Sequence, residues 1–247
     1  MERDIISMKC VGLILLLATL ISFPSCDVKN IPGTPSVSEN TADIIRNDKT
    51  ENESVTGDVT VSPYAVSEIL NPVDNHSWEL TEKPEYVVLH FTSAVVLSKD
   101  DPFNLDTVRN IFTENSLGIQ YIIDREGIIH CWIPETRAAW HAGKGTFADN
   151  EKYTNAMNKY SIGIEMLAIG SKKDMAQYLT SEEYDALNPE FIGFTDAQYE
   201  SLGKLVRDIC NRNGIPFDSE HIIGHDMYNP LKTDPGELFS YDRLFSE

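Results

Sequence analysis

The sequence predicts an α/β fold for residues 63–247, in which short apolar strands alternate with amphipathic helices. One apolar run, Tyr86-Val87-Val88-Leu89, is typical of a buried strand and ends at His90. A second run, Ile162-Gly163-Ile164, leads into Glu165. Because α/β proteins bind ligands outside the carboxyl ends of their strands, we expect His90 and Glu165 to lie beside each other there.

The segments around these runs supply the helices and turns of the fold. Residues 104–115 place Leu105, Val108, Ile111 and Phe112 on one helical face. Asp124-Arg125-Glu126-Gly127 predicts a turn between two strands. Thr195-Asp196-Ala197-Gln198 is a capping-box pattern that opens a second helix, which ends before Gly214. Residues 170–193 are a polar insertion with a short helix near 182–187, and we expect them to border a cleft.

Residues 1–26 are typical of a lipoprotein signal peptide. Lys9 precedes the apolar run 11–21, which is short for a membrane span and suits a signal-peptide core. Phe23-Pro24-Ser25-Cys26 resembles a bacterial lipobox, which implies that Cys26 is diacylated. The sequence therefore predicts a membrane-anchored lipoprotein of the cell envelope that faces the periplasm or the exterior. A soluble exported protein that is cleaved nearby is the alternative.

Residues 27–62 contain no aromatic side chain and are dominated by polar residues, so they are predicted to form a disordered tether. The formal net charge of the chain is −19. This charge argues against nucleic acid as a partner and against an anionic membrane surface. The sequence contains no P-loop, GxGxxG or HExxH motif, which removes the nucleotide-binding and common zinc-peptidase interpretations.

Four cysteines occur in the chain. Cys10 would leave with the signal peptide and Cys26 would carry lipid. Cys131 lies on a predicted strand and Cys210 on a predicted helix, and the two either form a disulfide or remain buried thiols. No CxxC pattern is present, so a cysteine zinc site is not supported.

The run from Gly224 to Gly236 carries the residues best suited to a catalytic site. Its prolines exclude one continuous helix, so the chain can fold back and bring His225 and Asp234 to one ion. With His90 as a third ligand, two imidazoles and one carboxylate suit a catalytic zinc ion that keeps one position for water. The alternative for His90 is a hydrogen-bonded core histidine.

Five segments follow one another along the chain: Val88-Leu89-His90-Phe91-Thr92, Tyr121-Ile122-Ile123-Asp124-Arg125-Glu126-Gly127, Ala139-Trp140-His141-Ala142-Gly143, Ser161-Ile162-Gly163-Ile164-Glu165 and the run Gly224 to Gly236. In this order they resemble the zinc-dependent N-acetylmuramoyl-L-alanine amidases that share the peptidoglycan-recognition-protein fold. The resemblance covers the chain from Tyr86 onward. It implies a central mixed β-sheet flanked by helices.

The resemblance also implies a role for each matched residue. His90, His225 and Asp234 would bind Zn²⁺. Glu165 would act as general base and acid on a zinc-activated water, and Lys232 would stabilise the oxyanion. The alternatives for these two are a solvated glutamate and a surface lysine.

Trp140 and His141 would contact substrate on the cleft wall, the alternatives being a buried tryptophan and a structural histidine. The chain departs from the family pattern at Leu231, where an arginine is common. It also has Ile119 and Gln120 where some relatives have tyrosine. His76, His130 and His221 have no evident partners and are given no role.

These observations favour a monomeric zinc amidase that hydrolyses the amide bond between N-acetylmuramic acid and L-alanine in peptidoglycan or muropeptides. A non-catalytic peptidoglycan-binding protein of the same fold is the alternative from a different class. It is disfavoured because all three zinc ligands are present. A zinc peptidase that cleaves within the stem peptide remains a third interpretation.

Overall fold

Two β-sheets and five α-helices make up the part of the chain that the computed structural model describes, residues 61–246. The strands are β1 (Ala65–Ser67), β2 (Ser77–Glu79), β3 (Tyr86–Thr92), β4 (Tyr121–Ile123), β5 (Ile129–Cys131), β6 (Arg137–Ala139), β7 (Ser161–Leu167) and β8 (Ile222–Gly224). The helices are α1 (Leu105–Glu114), α2 (Ser181–Asp185), α3 (Asp196–Asn213), α4 (His225–Tyr228) and α5 (Tyr241–Ser246).

The main sheet has the strand order β1-β5-β4-β7-β3-β8, while β2 and β6 pair separately. Strands β4 and β5 are antiparallel, as the predicted turn between them requires, and the other neighbours in the main sheet are parallel. Strands β3 and β7 pair over seven residues at its centre. The predicted central mixed sheet flanked by helices is confirmed.

One face of the sheet packs against helix α3. Alternate residues of β3 and β7 point to this face, and they join the apolar side of α3 in one buried cluster. The predicted capping box is present, since the Thr195 hydroxyl accepts from the Gln198 amide and the Gln198 side chain accepts from the Thr195 amide. Gly214 ends the helix with a φ of 62°, a left-handed conformation that glycine adopts without strain.

Two separate apolar clusters cover the opposite face. Helix α1 packs over Ile122 of β4, and residues 142–160 pack over Val88 of β3 and Ile223 of β8. His90 and Glu165 lie on this face, on the two strands between the clusters. The expectation that they lie outside the carboxyl ends of the strands is wrong, because strand pairing continues for two more residues, to Thr92 and Leu167.

The domain begins earlier than the predicted boundary at residue 63. The Ser62 amide donates to the Tyr121 hydroxyl at 2.8 Å, and the Ser62 hydroxyl donates to Asp208 at 2.7 Å. Ser62 is buried and Val61 packs against the core, so both belong to the folded domain. The predicted signal peptide, Cys26 and the rest of the tether lie outside the described residues.

Cys131 and Cys210 are both buried free thiols. Of the two alternatives for this pair, the structure therefore supports separate thiols. Burial raises the pKa of Cys131 to about 12 and that of Cys210 to about 11, which keeps both protonated and unreactive at neutral pH. No helix within residues 61–246 is both long enough and apolar enough to cross a bilayer.

Candidate metal centre

Three predicted zinc ligands converge at one point on the sheet face. The possible ligand atoms of His90, His225 and Asp234 all lie within 4.8 Å of one another. One oxygen, Asp234 Oδ2, lies 2.7 Å from His90 Nδ1 and 2.9 Å from His225 Nδ1. The backbone amide of Asp226 donates to the carbonyl of Asp234 at 3.0 Å, which closes the loop between the two ligands. The fold-back predicted for this run is therefore present.

The donor set fits a divalent cation. His225 Nε2 lies 2.9 Å from the Ala142 carbonyl oxygen, which only accepts, so this nitrogen carries the ring proton. With Nε2 as the donor, Nδ1 is the nitrogen of His225 that is left to bind a cation, and it lies on the Asp234 side of the ring. Burial lowers the pKa of His90 to about 4, which keeps this imidazole neutral at neutral pH as well. Converging lone pairs on two nitrogens and one oxygen are stabilised by a cation, and this ligand set suits Zn²⁺.

Glu165 provides a buried carboxylate next to this cluster. It pairs in register with His90, so both side chains emerge on the same face of neighbouring strands. Its Oε2 atom is buried and has no hydrogen-bond partner among the described residues. Burial, together with the charge of Asp234, raises the pKa of Glu165 well above its usual value. A raised pKa makes the carboxylate a stronger base than that of an exposed glutamate, and a buried carboxyl group of this kind is a candidate proton carrier.

Lys232 contributes positive charge to the same region. Its side chain is half-buried in the loop that carries Asp234. The Lys232 charge opposes the upward shift of the Glu165 pKa and adds to the downward shift of the His90 pKa, so it acts electrostatically on both groups. The five residues predicted as metal ligands and catalytic groups therefore lie in one region of the structure.

His141 and Trp140 point in different directions from adjacent positions. His141 Nδ1 lies 3.0 Å from His90 Nε2, and His141 Nε2 lies 3.2 Å from the Ser161 hydroxyl. Both ring nitrogens of His141 are thus engaged within the protein. Trp140 is 47% exposed and its ring lies 4.1 Å, centroid to centroid, from that of Trp78. The alternative of a buried tryptophan is therefore wrong, and Trp140 is free to contact a ligand.

The other three histidines do have partners, contrary to the sequence analysis. His130 lies 3.1 Å from carboxylate oxygens of both Glu68 and Asp124. His76 Nδ1 bonds the Leu117 carbonyl at 2.7 Å, and His221 Nδ1 lies 2.7 Å from Asp218. The His76–Leu117 and His130–Glu68 contacts join residues 41 and 62 positions apart, which no local sequence pattern connects, whereas His221 and Asp218 are three positions apart.

The predicted polar insertion borders the site, through residues that the sequence analysis missed. Asp174 is buried, and its Oδ2 accepts from the backbone amides of Ser171 at 2.9 Å and Glu237 at 3.2 Å. Asp174 thereby ties the insertion to the loop that carries Asp234. Burial and the charges of Asp234 and Glu165 raise the pKa of Tyr178, a residue of the same insertion. The insertion lies outside the five resembling segments, so no motif pointed to these residues.

The fold and the cluster together define an α/β protein with a candidate mononuclear metal centre beside a buried carboxylate. The family model described as N-acetylmuramoyl-L-alanine amidase matches residues 80–237. The chain belongs to this family.

Individual relatives agree with this assignment. The chain is 30% identical over 130 residues to the 1,6-anhydro-N-acetylmuramyl-L-alanine amidase AmpD of Enterobacter cloacae, a match that covers 52% of this chain and 56% of the relative. It thus spans about half the length of the curated relatives it matches.

Two solved structures have a similar fold. A crystal structure of an AmpD derivative matches with a TM-score of 0.53 and 22% identity, covering 76% of this chain and 97% of that one. The N-acetylmuramyl-L-alanine amidase AmiD from E. coli matches with a TM-score of 0.50 and 25% identity, covering 67% of this chain and 57% of that one. The mixed sheet with flanking helices is therefore the fold of this family.

Proposed function

We propose that this protein hydrolyses the amide bond between N-acetylmuramic acid and L-alanine in peptidoglycan or muropeptides. The observation that carries the proposal is the buried Glu165 carboxylate beside the convergent His90, His225 and Asp234. Family membership supports it. The AmiD structure adds support, since that protein is described in complex with the substrate anhydro-N-acetylmuramic acid-L-Ala-D-γ-Glu-L-Lys.

His90, His225 and Asp234 would hold Zn²⁺ in the proposed enzyme. When bound, zinc supplies Lewis acidity, which polarises a carbonyl group and lowers the pKa of water. The three side chains provide two neutral nitrogens and one anionic oxygen, so the bound ion keeps a net positive charge. A set of three protein ligands is typical of catalytic rather than structural zinc sites.

Glu165 would transfer the proton in the reaction, and Lys232 would stabilise the negative charge that develops. The unpartnered Oε2 of Glu165 takes a proton from the attacking water and later delivers it to the nitrogen of the leaving L-alanine. The raised pKa of Glu165 suits both steps, because it makes the carboxylate a stronger base and its protonated form easier to populate than in an exposed glutamate. The Lys232 ammonium stabilises the negative charge that develops on the carbonyl oxygen. Exposed Trp140 offers a flat apolar surface to the substrate.

The proposed location is the cell envelope, with the protein anchored to a membrane by lipid on Cys26. The support is the sequence of residues 9–26, which combines a short apolar run with a lipobox-like end. Two acyl chains give stable membrane binding where one gives only marginal binding. A tether between lipid and domain would let the site reach peptidoglycan away from the membrane surface.

The test is to incubate residues 61–247 with intact peptidoglycan and, separately, with a 1,6-anhydro-muropeptide, and to identify the products by mass spectrometry. We expect peptides with a free L-alanine amino group. Removal of metal with a chelator should stop the reaction, and added Zn²⁺ should restore it. Binding without release of peptide would favour the non-catalytic binding protein, and products cut within the stem peptide would favour the peptidase.

A further inference from the structure

We propose that His141 and Ser161 are positioning residues that fix the tautomer of His90, so that His90 Nδ1 presents a lone pair to the metal. The inference rests on the metal centre of the proposed function. His141 and Ser161 lie outside the ligand set. A buried chain of hydrogen bonds connects Met157, Ser161, His141 and His90, and the number of protons that each group can donate determines the direction of every bond in it.

The chain of hydrogen bonds starts at a backbone carbonyl. The Ser161 hydroxyl lies 2.8 Å from the Met157 carbonyl oxygen, which only accepts, so the single hydroxyl proton points to Met157. The same hydroxyl oxygen lies 3.2 Å from His141 Nε2 and must then accept a hydrogen bond from that nitrogen. His141 therefore carries its proton on Nε2.

The protonation of His141 determines which nitrogen of His90 carries a proton. A neutral His141 with its proton on Nε2 has an unprotonated Nδ1, which accepts. His90 Nε2 lies 3.0 Å from that atom and must donate to it. The single proton of a neutral His90 is thus on Nε2, and its Nδ1 lone pair faces Asp234 and the metal position. Ser161 and His90 are buried, which leaves water little access to replace either partner.

The same short segment orients the second imidazole ligand. The Ala142 carbonyl accepts from His225 Nε2 at 2.9 Å, so His225 also presents Nδ1. The buried Asn158 side-chain oxygen accepts from the backbone amides of His141 at 3.2 Å and Ala142 at 2.7 Å. Asn158 and Ser161 together hold residues 141 and 142 in place. His141 sets the tautomer of His90, and the Ala142 carbonyl sets that of His225.

The His141 ring packs against strand β7 at Gly163, which has no side chain. A Cβ atom on Gly163 would lie 2.8 Å from ring atoms of His141, closer than side chains pack. Glycine at this position therefore lets the ring approach strand β7 and reach His90. This role replaces the substrate contact that the resemblance suggested for His141, because both ring nitrogens are already used within the protein.

Two measurements on the zinc-loaded protein test the inference. Nitrogen-15 NMR of the wild type should show His141 protonated on Nε2, with a scalar coupling across the hydrogen bond between His90 Nε2 and His141 Nδ1. Chelator competition should show zinc binding weakened by about 10–100-fold in Ser161→Ala and His141→Leu, the usual effect of removing an outer hydrogen bond to a ligand. His141→Asn should restore much of the affinity, since its amide oxygen can accept from His90.

Ser201→Ala is the matched control, because Ser201 of helix α3 donates a similar hydrogen bond to the carbonyl of Gly127 in the β4–β5 turn. Loss of this bond should leave zinc affinity unchanged. A wild-type His141 protonated on Nδ1 would overturn the inference even if the variants failed to fold. Unchanged zinc affinity in folded Ser161→Ala and His141→Leu would overturn it while the proposed function stands. A wild type that binds no zinc would overturn both.

Discussion

His90 and Glu165 are register partners on adjacent parallel strands, and their side chains emerge from the same face of the sheet. Neighbouring strands lie about 4.8 Å apart, so this pairing alone places a carboxylate beside a predicted metal ligand. Glu165 is paired on both sides, with His90 and with Ile122, and His90 directly follows Leu89, the last residue of β3 that pairs with β8. The distance between the predicted ligand and the predicted base is therefore fixed by the most rigid part of the fold.

The first prediction follows from this pairing. Glu165→Gln keeps the shape of the side chain but removes its ability to take up and release a proton. We expect the turnover rate on a muropeptide to fall by about a hundredfold or more, the usual size of a general acid–base contribution. Zinc content and the melting temperature should remain close to those of the wild type. A variant that turns over at the wild-type rate would exclude Glu165 as the proton carrier.

The second prediction concerns the ligand set. His225→Ala removes one of two nitrogens that face Asp234 Oδ2, so the variant should lose zinc on dialysis while the wild type keeps one ion per chain. Asp234→Cys should retain more zinc than Asp234→Ala, because a thiolate is also a good zinc ligand. Metal analysis by mass spectrometry measures both. Full zinc occupancy with wild-type activity in His225→Ala would show that the ligand assignment is wrong.

Local patterns were enough to predict the longest strands and helices, but not the short strands β1, β2, β6 and β8 or the short helices α4 and α5. Helix α1 begins after Asn104, whose side chain accepts from the Thr107 amide, and α3 begins at the predicted capping box. Both signals lie within four residues along the chain, so no tertiary information is needed to recognise them. The metal-site residues were predicted for a different reason, since the chemistry of the side chains and the order of five segments limit the choice.

Contacts between distant residues could not be predicted in the same way. Ser62 bonds a tyrosine 59 positions away, and Ser161 bonds His141 across 20 positions. The position of His90 on the sheet face depends on how far strand pairing continues, which the apolar run 86–89 does not reveal. These properties arise from tertiary packing, which has no local signature in the sequence.

The third prediction tests the close approach at Gly163. Gly163→Ala would place a Cβ atom 2.5 Å from the Ile119 side chain and 2.8 Å from the His141 ring, so the ring must move. We expect the free energy of unfolding to fall by about 1–3 kcal/mol, as for other overpacked sites, and zinc binding to weaken. Ile162→Val on the opposite face is the control, because it should lower stability by about 0.5–1.5 kcal/mol without affecting zinc. Urea denaturation and chelator competition give the two quantities, and unchanged zinc affinity in Gly163→Ala would contradict the prediction.

The fourth prediction concerns the lipid anchor. Cys26→Ser removes the only atom of this residue that can take up a thioether-linked lipid, so the protein should move from the membrane fraction to the soluble fraction. The hydrolysis rate of the purified domain should not change, because Cys26 lies outside residues 61–246. Cell fractionation followed by immunoblotting measures the distribution. If the variant stays in detergent-extractable membranes, the lipoprotein proposal is wrong.

The fifth prediction is a pH dependence of stability that originates at His130. The hydrogen bond to Asp124 and the negative charges of Asp124 and Glu68 raise the pKa of this histidine, although burial opposes them. Arg109 also contacts Glu68, at 2.8 Å, and moderates the negative charge. Because the folded-state pKa exceeds the unfolded value of about 6.5, the protonated ring stabilises the folded state. This contribution is complete below about pH 6.5 and is lost as the pH rises through the folded-state pKa.

His130→Gln removes the titrating group but keeps polar atoms in the same place. Between pH 6 and pH 8 the free energy of unfolding should therefore decrease more steeply for the wild type than for this variant. Asp124→Asn is a second comparison, since its remaining oxygen can still accept from the Glu126 and Ile128 amides while the charge next to His130 is lost. Its pH dependence should also be flatter than that of the wild type. Urea denaturation at several pH values gives the free energy of unfolding as a function of pH. The wild type and His130→Gln share every other titrating group. Parallel curves for the two proteins would therefore show that protonated His130 does not stabilise the fold.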